Sequence, residues 1–536
     1  MRHAFYLPVA AALLAGCGNS DPPAGGGCAG SPAVELSGTA ASGDSKTYKA
    51  LPFTVNAGTG RIEVSYGWTD HPGPPGTPAA ATTFDLGLWD EHGYRNQAGF
   101  RGWSGSRQGR LDQDHGPVYL EATRADRGYT PGPIHPGTWY VDLGIASVNS
   151  QGADWVVQIR QCPLAAAPAP ADDPVDPLHV ASSAPGWYHS DFHMHAFHSN
   201  PAAPDWDAFV AMARAAKLDF LMVTEYVTGQ HWRTLGAVQR ANPDLVIWPG
   251  REIITYSGHV MSQGETFGFY EYRHGFEDVD IGDIQRSVKA AGALFEINHP
   301  TSFPPPAFTS FCRGCYFELG DRIDWSQVDL IEVLNGPMRA TAQDVGGNFP
   351  GEIENPFVTT AIQLWDQQLN AGYKITGVSG SDSKGVEPNE AERIRRGYGS
   401  SATAVYAANL SRPALKAAIQ AGHAYIRALG VDRSPALEFT AGFNGAYAMF
   451  GDTLSGVGMA DTVTLHVNVK GGANQTLRYF RNGSQFADVP ITSDDFSNDL
   501  PVTRTPDEGP LGTYWRIETM DSETRTTLGN PIFLKP

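Results

Sequence analysis

Between residues 185 and 430 the chain alternates short apolar runs with amphipathic stretches, and this alternation limits its fold more than any other feature. The runs at 218–224 (LDFLMVT), 245–248 (LVIW), 293–297 (ALFEI), 330–334 (LIEVL), 373–378 (YKITGV) and 403–407 (TAVYA) read as buried strands. Helical patterns lie between several of them, 281–291 and 357–371 among others. Phe209, Met212, Ala213 and Ala216 recur at helical spacing behind Asp205, a good N-cap, and Ser411 and Gly422 bracket a last helix. Strands alternating with helices predict an α/β unit with a parallel sheet, here closed into a barrel.

The flanks have another texture. From 33 to 163 short strands such as 61–66 (RIEVSY), 85–89 (DLGLW) and 138–143 (TWYVDL) are separated by turn clusters, as a β-sandwich requires. Within it the FRGWSG run at 100–105 is either a sugar-stacking platform or part of a Trp-rich sandwich core. Residues 164–184 are a Pro/Ala linker. From 431 to 536 alternation returns, as in 462–469 (TVTLHVNV), and predicts a small C-terminal β-sandwich. The 60 glycines and 39 prolines in 536 residues suit such loop-rich β units. A net charge of -19 without a long basic run argues against nucleic acid as a partner.

The polar residues gather where a parallel barrel binds ligands, at the C-terminal ends of its strands. In 187–198 (WYHSDFHMHAFH), His193 and His195 are two apart and share one face of an extended strand, with Asp191 behind them. The next strand ends in Glu225-Tyr226, and the one after runs into PGRE (249–252), followed by Gly258-His259. Two others end in Asn298-His299-Pro300 and in GSDSK (380–384). Any one of these could be a capped turn or a satisfied histidine. Five strand ends together are hard to explain by packing, because buried charge is costly without a partner. Histidine and carboxylate without thiolate admit zinc, manganese or iron.

The ordered set HxH, TE, PGxE, GH, NHP and SDS resembles the PHP family of metallohydrolases, named for polymerase and histidinol phosphatase. More narrowly, the sandwich, core and β tail resemble its exported carbaryl-hydrolase-like branch. The resemblance implies a distorted (β/α)7 barrel and two divalent metal ions. The first ion would take His193, His195, Glu252 and Asp382; the second would share Glu252 and add His259 and His299. A carboxylate and a hydroxide bridging two cations form a hydrolytic arrangement. Where family members carry histidines for a third ion, this chain has Tyr226 and Lys384, and near Pro201 the early-loop position. A third ion is therefore not expected. Lys384 would meet an anionic oxygen, and Tyr226 would either hydrogen-bond a leaving group or pack. His198 is a proton donor or an exposed loop residue, and Arg251 contacts an anion or forms a structural ion pair.

The function expected is a binuclear phosphoesterase with a phosphodiester favoured over a dianionic monoester. Carbamate or carboxyl ester hydrolysis is the rival at the same site, and a non-catalytic envelope-binding lipoprotein is a third reading. The substrate expected is a small-molecule ester. At the N-terminus, Arg2, an apolar run at 7–14 and Leu14-Ala-Gly-Cys17 form a secretory signal (1–16) resembling that of a bacterial lipoprotein. Cys17 would then carry lipid, opening a tether (17–32) and holding the protein at the periplasmic face of the outer membrane. Lipidated Cys17 would be its sole membrane attachment. The alternative is an ordinary secretory signal with Cys17 incidental. Four further cysteines in an oxidising compartment suggest two disulfides. One would join Cys28 to Cys162 across the sandwich, and the other would close the loop between Cys312 and Cys315.

Overall fold

The computed structural model describes residues 27–73, 82–105, 116–165, 167–198, 202–264, 268–308, 312–506 and 508–536. The expected signal, Cys17, most of the tether and Pro201 lie outside the described residues. Among the described residues no helix is long and apolar enough to cross a membrane.

Along Ala153–Cys162 the side chains of Ala153, Trp155, Val157 and Ile159 are buried while those between them are more exposed, the period of two that builds a half-buried strand. Strands of this kind form two four-stranded antiparallel sheets between residues 33 and 162. Ile62 and Val64 from one sheet and Leu86 and Val141 from the other share a single core. Cys28 is disulfide-bonded to Cys162, which ties the two ends of this unit together. The FRGWSG run is neither a sugar platform nor part of that core. It lies on an edge strand, Phe100–Trp103, and its rings pack on the following unit. Phe100 meets Phe269 with centroids 4.7 Å apart, and Trp103 meets Tyr272 at 6.2 Å and Tyr226 at 6.4 Å. Buried Asp142 accepts the hydroxyls of Tyr94 and Tyr272, and Arg273 stacks over Trp89 at 4.4 Å and Tyr94 at 4.3 Å. The sandwich is thus joined to its neighbour by a satisfied polar and aromatic contact.

The second unit is built on a six-stranded sheet in the order β1 (Phe220–Tyr226), β2 (Val246–Thr255), β3 (Gly258–Gln263), β4 (Leu294–Ile297), β5 (Leu330–Asn335), β6 (Thr376–Gly380). Helices α1 (Trp206–Ala215), α2 (Ile281–Ala290), α3 (Pro356–Ala371) and α4 (Arg412–Ala421) accompany it. Asp205 caps α1 by accepting Ala208 N–H, and Ser411 caps α4, which Gly422 ends in the left-handed conformation. A regular β/α repeat is not what forms. Only two residues, Tyr256 and Ser257, separate β2 from β3, leaving no room for a crossover helix, so the two pair antiparallel, as do β3 and β4. The predicted run at 403–407 joins a different sheet, a nine-stranded one that begins Gly186–Ser190, Ala402–Ala407, Ala424–Arg427. The Ala424–Arg427 strand is then paired by Thr524–Gly529, so this sheet continues across position 430 into the C-terminal strands.

The histidine segment follows directly from Gly186–Ser190 and lodges between the two edges of the six-stranded sheet. Met194 bridges to Val223 on β1 and to Ser383 just past β6. Phe192 N–H donates to Ser379 and Thr224 N–H to Met194. Both edge strands are therefore covered by the segment that bears His193 and His195.

Candidate metal centre

Four elements converge on Glu252. It lies on β2, where side chains alternate, so Glu252 and Arg251 leave the strand on opposite faces. Glu252 is 1% exposed. Its Oε2 lies 3.4 Å from His193 Nε2 and 3.4 Å from His195 Nε2. Its Oε1 lies 3.0 Å from His259 Nδ1 and 3.3 Å from His299 Nε2. One carboxylate thus divides four imidazoles into two pairs. Asp382, just past β6, places Oδ1 at 3.0 Å from His195 Nε2 and 3.6 Å from His193 Nε2. The two Nε2 atoms are themselves 3.1 Å apart. Ligands held at about 2.0–2.2 Å from one cation sit roughly 3–3.6 Å from each other, so these separations fit a shared ion.

The outer nitrogens complete the pattern. His193 Nδ1 donates to Glu332 at 3.3 Å, His259 Nε2 to the Arg313 carbonyl at 3.1 Å, and His299 Nδ1 to the Cys315 carbonyl at 3.0 Å. Each donation fixes the tautomer and turns a lone pair inward, as a metal-ligating histidine requires. The six residues expected as ligands are together, and the donor set fits divalent cations. His299 and Asp382 both adopt left-handed backbone conformations, φ 28 and 53, a region in which histidine and aspartate are found more often than most side chains.

The electrostatics agree. Burial would lower the pKa of His193, but Asp382, Glu332 and Glu252 raise it well above the ordinary value. Burial would raise that of Glu252, but His193 and the other imidazoles hold it well below the carboxylate range. Asp382 is likewise held low against burial, by Lys384 and His193. These carboxylates are therefore ionised and draw positive charge, which a proton on His193 or a bound cation supplies.

The other predicted residues fall into three situations. Lys384 Nζ donates to Asp382 Oδ1 at 2.9 Å and lies 5.4 Å from the Tyr226 ring centroid. Burial would lower its pKa, but Asp382 and Tyr226 raise it. Tyr226 packs on His195 with centroids 4.2 Å apart, and its phenol is pushed up to about 12, chiefly by burial. His198 is not an exposed loop residue: it is 8% exposed, and its Nδ1 accepts Gly128 N–H at 3.2 Å. Burial, helped by Arg127, lowers its pKa to about 3, so it is neutral and a poor acid in the ordinary pH range. Arg251 leaves β2 on the face opposite Glu252 and donates to the carbonyls of Val227 at 3.3 Å and Gly268 at 2.8 Å between the rings of Trp232 and Tyr270.

Sequence reasoning missed Glu332 and gave Asn298 no role beyond its place in the NHP motif. Glu332 Oε2 accepts His299 N–H at 2.8 Å while its carboxylate receives His193, and Asn298 Nδ2 donates to Glu252 Oε1 at 3.2 Å. The signal for Glu332 was a lone carboxylate inside the apolar run LIEVL. Asp191 orients backbone rather than imidazole, accepting the N–H groups of His193, Ser381 and Gly399 at 2.9–3.1 Å. The expected Cys312–Cys315 bridge is present.

No family model matches the chain, and no curated protein matches it. Among solved structures it is similar to a two-domain protein of Bacteroides vulgatus ATCC 8482 described as containing a predicted PHP-like metal-dependent phosphoesterase. That match has 16% identity and a TM-score of 0.35, covering 68% of this chain and 100% of that one. A protein of Bifidobacterium adolescentis ATCC 15703 that is named for a metal-dependent phosphoesterase gives 13% identity and a TM-score of 0.24, over 37% of this chain and 89% of that one.

Proposed function

We propose that this chain is a PHP-type, metal-dependent hydrolase that cleaves a phosphoester, with two divalent ions, zinc, manganese or iron, held across Glu252. The observation that carries this reading is the division of His193/His195 from His259/His299 between the two oxygens of one buried carboxylate. His193, His195, Asp382 and Glu252 would hold one ion, and His259, His299 and Glu252 the other. When bound, such ions supply Lewis acidity toward water and toward the ester oxygen.

The protein's own groups then do the rest. Glu332 keeps His193 in one tautomer, and the carbonyls of Arg313 and Cys315 do the same for His259 and His299. Tyr226, neutral and beside His195, offers a phenolic proton to a leaving oxygen. Lys384 offers one positive charge, already shared with Asp382, which suits a singly charged phosphodiester better than a dianionic monoester. His198 acts by packing, not as an acid. Outside the described residues, lipid on Cys17 would attach the protein to the periplasmic face of the outer membrane.

Turnover of the metal-loaded protein on chromogenic phosphodiester, phosphomonoester, carbamate and acetate substrates tests the reading. Preference for the phosphodiester is expected. Preference for the carbamate or acetate would move the activity to carbonyl chemistry at the same site, and inactivity on all four would leave a binding protein.

A further inference from the structure

The loop closed by Cys312 and Cys315 meets two of the candidate ligands through its backbone. The Arg313 carbonyl accepts from His259 Nε2 at 3.1 Å, and the Cys315 carbonyl accepts from His299 Nδ1 at 3.0 Å. Between them Gly314 takes φ +87, and a Cβ there would lie 2.2 Å from the Thr255 carbonyl and 3.1 Å from His259 Nε2. The loop is therefore pressed against the His259 ring, with only glycine fitting at its centre. Arg313 Nε donates to Ser147 Oγ at 3.2 Å, which anchors the same loop to the N-terminal sandwich. The sulfur of Cys315 lies near the same two histidines: the donor atoms of His259, His299 and Cys315 fall within 4.8 Å of one another. Engaged in the disulfide, that sulfur is no thiolate and cannot be a ligand.

We propose that the Cys312–Cys315 disulfide is a positioning device for the His259/His299 half of the centre. By closing a four-residue loop it holds two carbonyls where they orient both imidazoles, and it keeps a thiolate away from them. The loop's two carbonyls meet His259 and His299, so the direct effect falls on that half, and the His193/His195/Asp382 half is linked to it through Glu252 and Glu332. The inference rests on the two-ion reading of the site, and the test separates the two.

The test is manganese binding to the full-length protein, followed by electron paramagnetic resonance with chelator competition. Manganese is chosen because thiolate is a poor ligand for it. The oxidised protein is compared with the Cys312→Ala/Cys315→Ala variant, which leaves Cys28–Cys162 intact, and with wild type reduced by a phosphine. Two ions are expected in the oxidised protein. In the variant, one should keep its affinity and the other should bind about 10- to 100-fold more weakly, the usual cost of losing such outer partners. Reduction should act in the same direction, reverse on reoxidation, and leave the variant unchanged. Two ions bound equally with and without the bridge would overturn the proposal while leaving the two-ion reading intact. Should that variant fail to fold, the same reduction is run on Cys28→Ala/Cys162→Ala, where Cys312–Cys315 is the bridge left to reduce, and an unchanged second ion there would overturn the proposal. An oxidised protein that binds neither manganese, zinc nor iron(II) would overturn the two-ion reading, and this proposal with it.

Discussion

His193 Nε2 and His195 Nε2 face each other at 3.1 Å in the interior, both side chains fully buried. Two lone pairs cannot rest there unscreened: a proton or a cation has to lie between them. The nearby carboxylates of Asp382, Glu332 and Glu252 raise the pKa of His193, so in metal-free protein a proton fills that role. Metal binding should then release protons, as it does wherever ligands must be deprotonated.

Glu332 is the residue whose loss should show this orientation most cleanly. Its two oxygens accept from His193 Nδ1 and from His299 N–H, and Glu332→Gln turns one of those acceptors into a donor. Metal affinity should fall about 10- to 100-fold, measured by chelator competition, with the fold retained by circular dichroism. Unchanged affinity would show that Glu332 is a structural acid only.

Lys384 distinguishes substrate charge from ligand positioning. If its ammonium meets an anionic oxygen, Lys384→Ala should reduce kcat/KM for a phosphodiester about ten- to a hundredfold more than for a neutral aryl ester. Equal losses on both substrates would mean that Lys384 acts only by holding Asp382, to which it donates at 2.9 Å.

His198 makes a prediction about stability and pH. Its pKa is lowered from 6.5 to about 3 in the folded chain, so folding favours the neutral ring. That contribution is full above pH 6.5 and is lost as pH falls toward about 3. At pH 5 the loss is about 2 kcal/mol. In metal-stripped protein, His198→Asn should therefore flatten the decline of Tm between pH 7.5 and pH 5. A variant that declines as steeply as wild type would place the titrating group elsewhere, with the similarly buried His231 the first alternative.

What the sequence made legible was local. His193, His195, Glu252, His259, His299 and Asp382 sit beside strand ends or on short motifs, and all six meet in the fold. What stayed hidden was set by distant chain or by backbone. Glu332 is 139 residues from its partner His193, and the carbonyls of Arg313 and Cys315 leave no trace in side-chain identity. His198 is buried by Gly128, 70 residues earlier in the sandwich. Arg251 was adjacent to Glu252 in sequence, yet strand alternation sends it to the other face. The regular barrel failed at β2 and β3 because a two-residue turn makes a hairpin, not a crossover.

The central claim is that Glu252 serves both halves of the centre, and metal content of Glu252→Ala tests it most directly. Wild type should hold close to two ions per chain by elemental analysis, and His259→Ala about one. Glu252→Ala should hold almost none after the same dialysis and lose hydrolysis, while its far-ultraviolet circular dichroism stays like that of wild type. Two ions retained in Glu252→Ala would contradict the account.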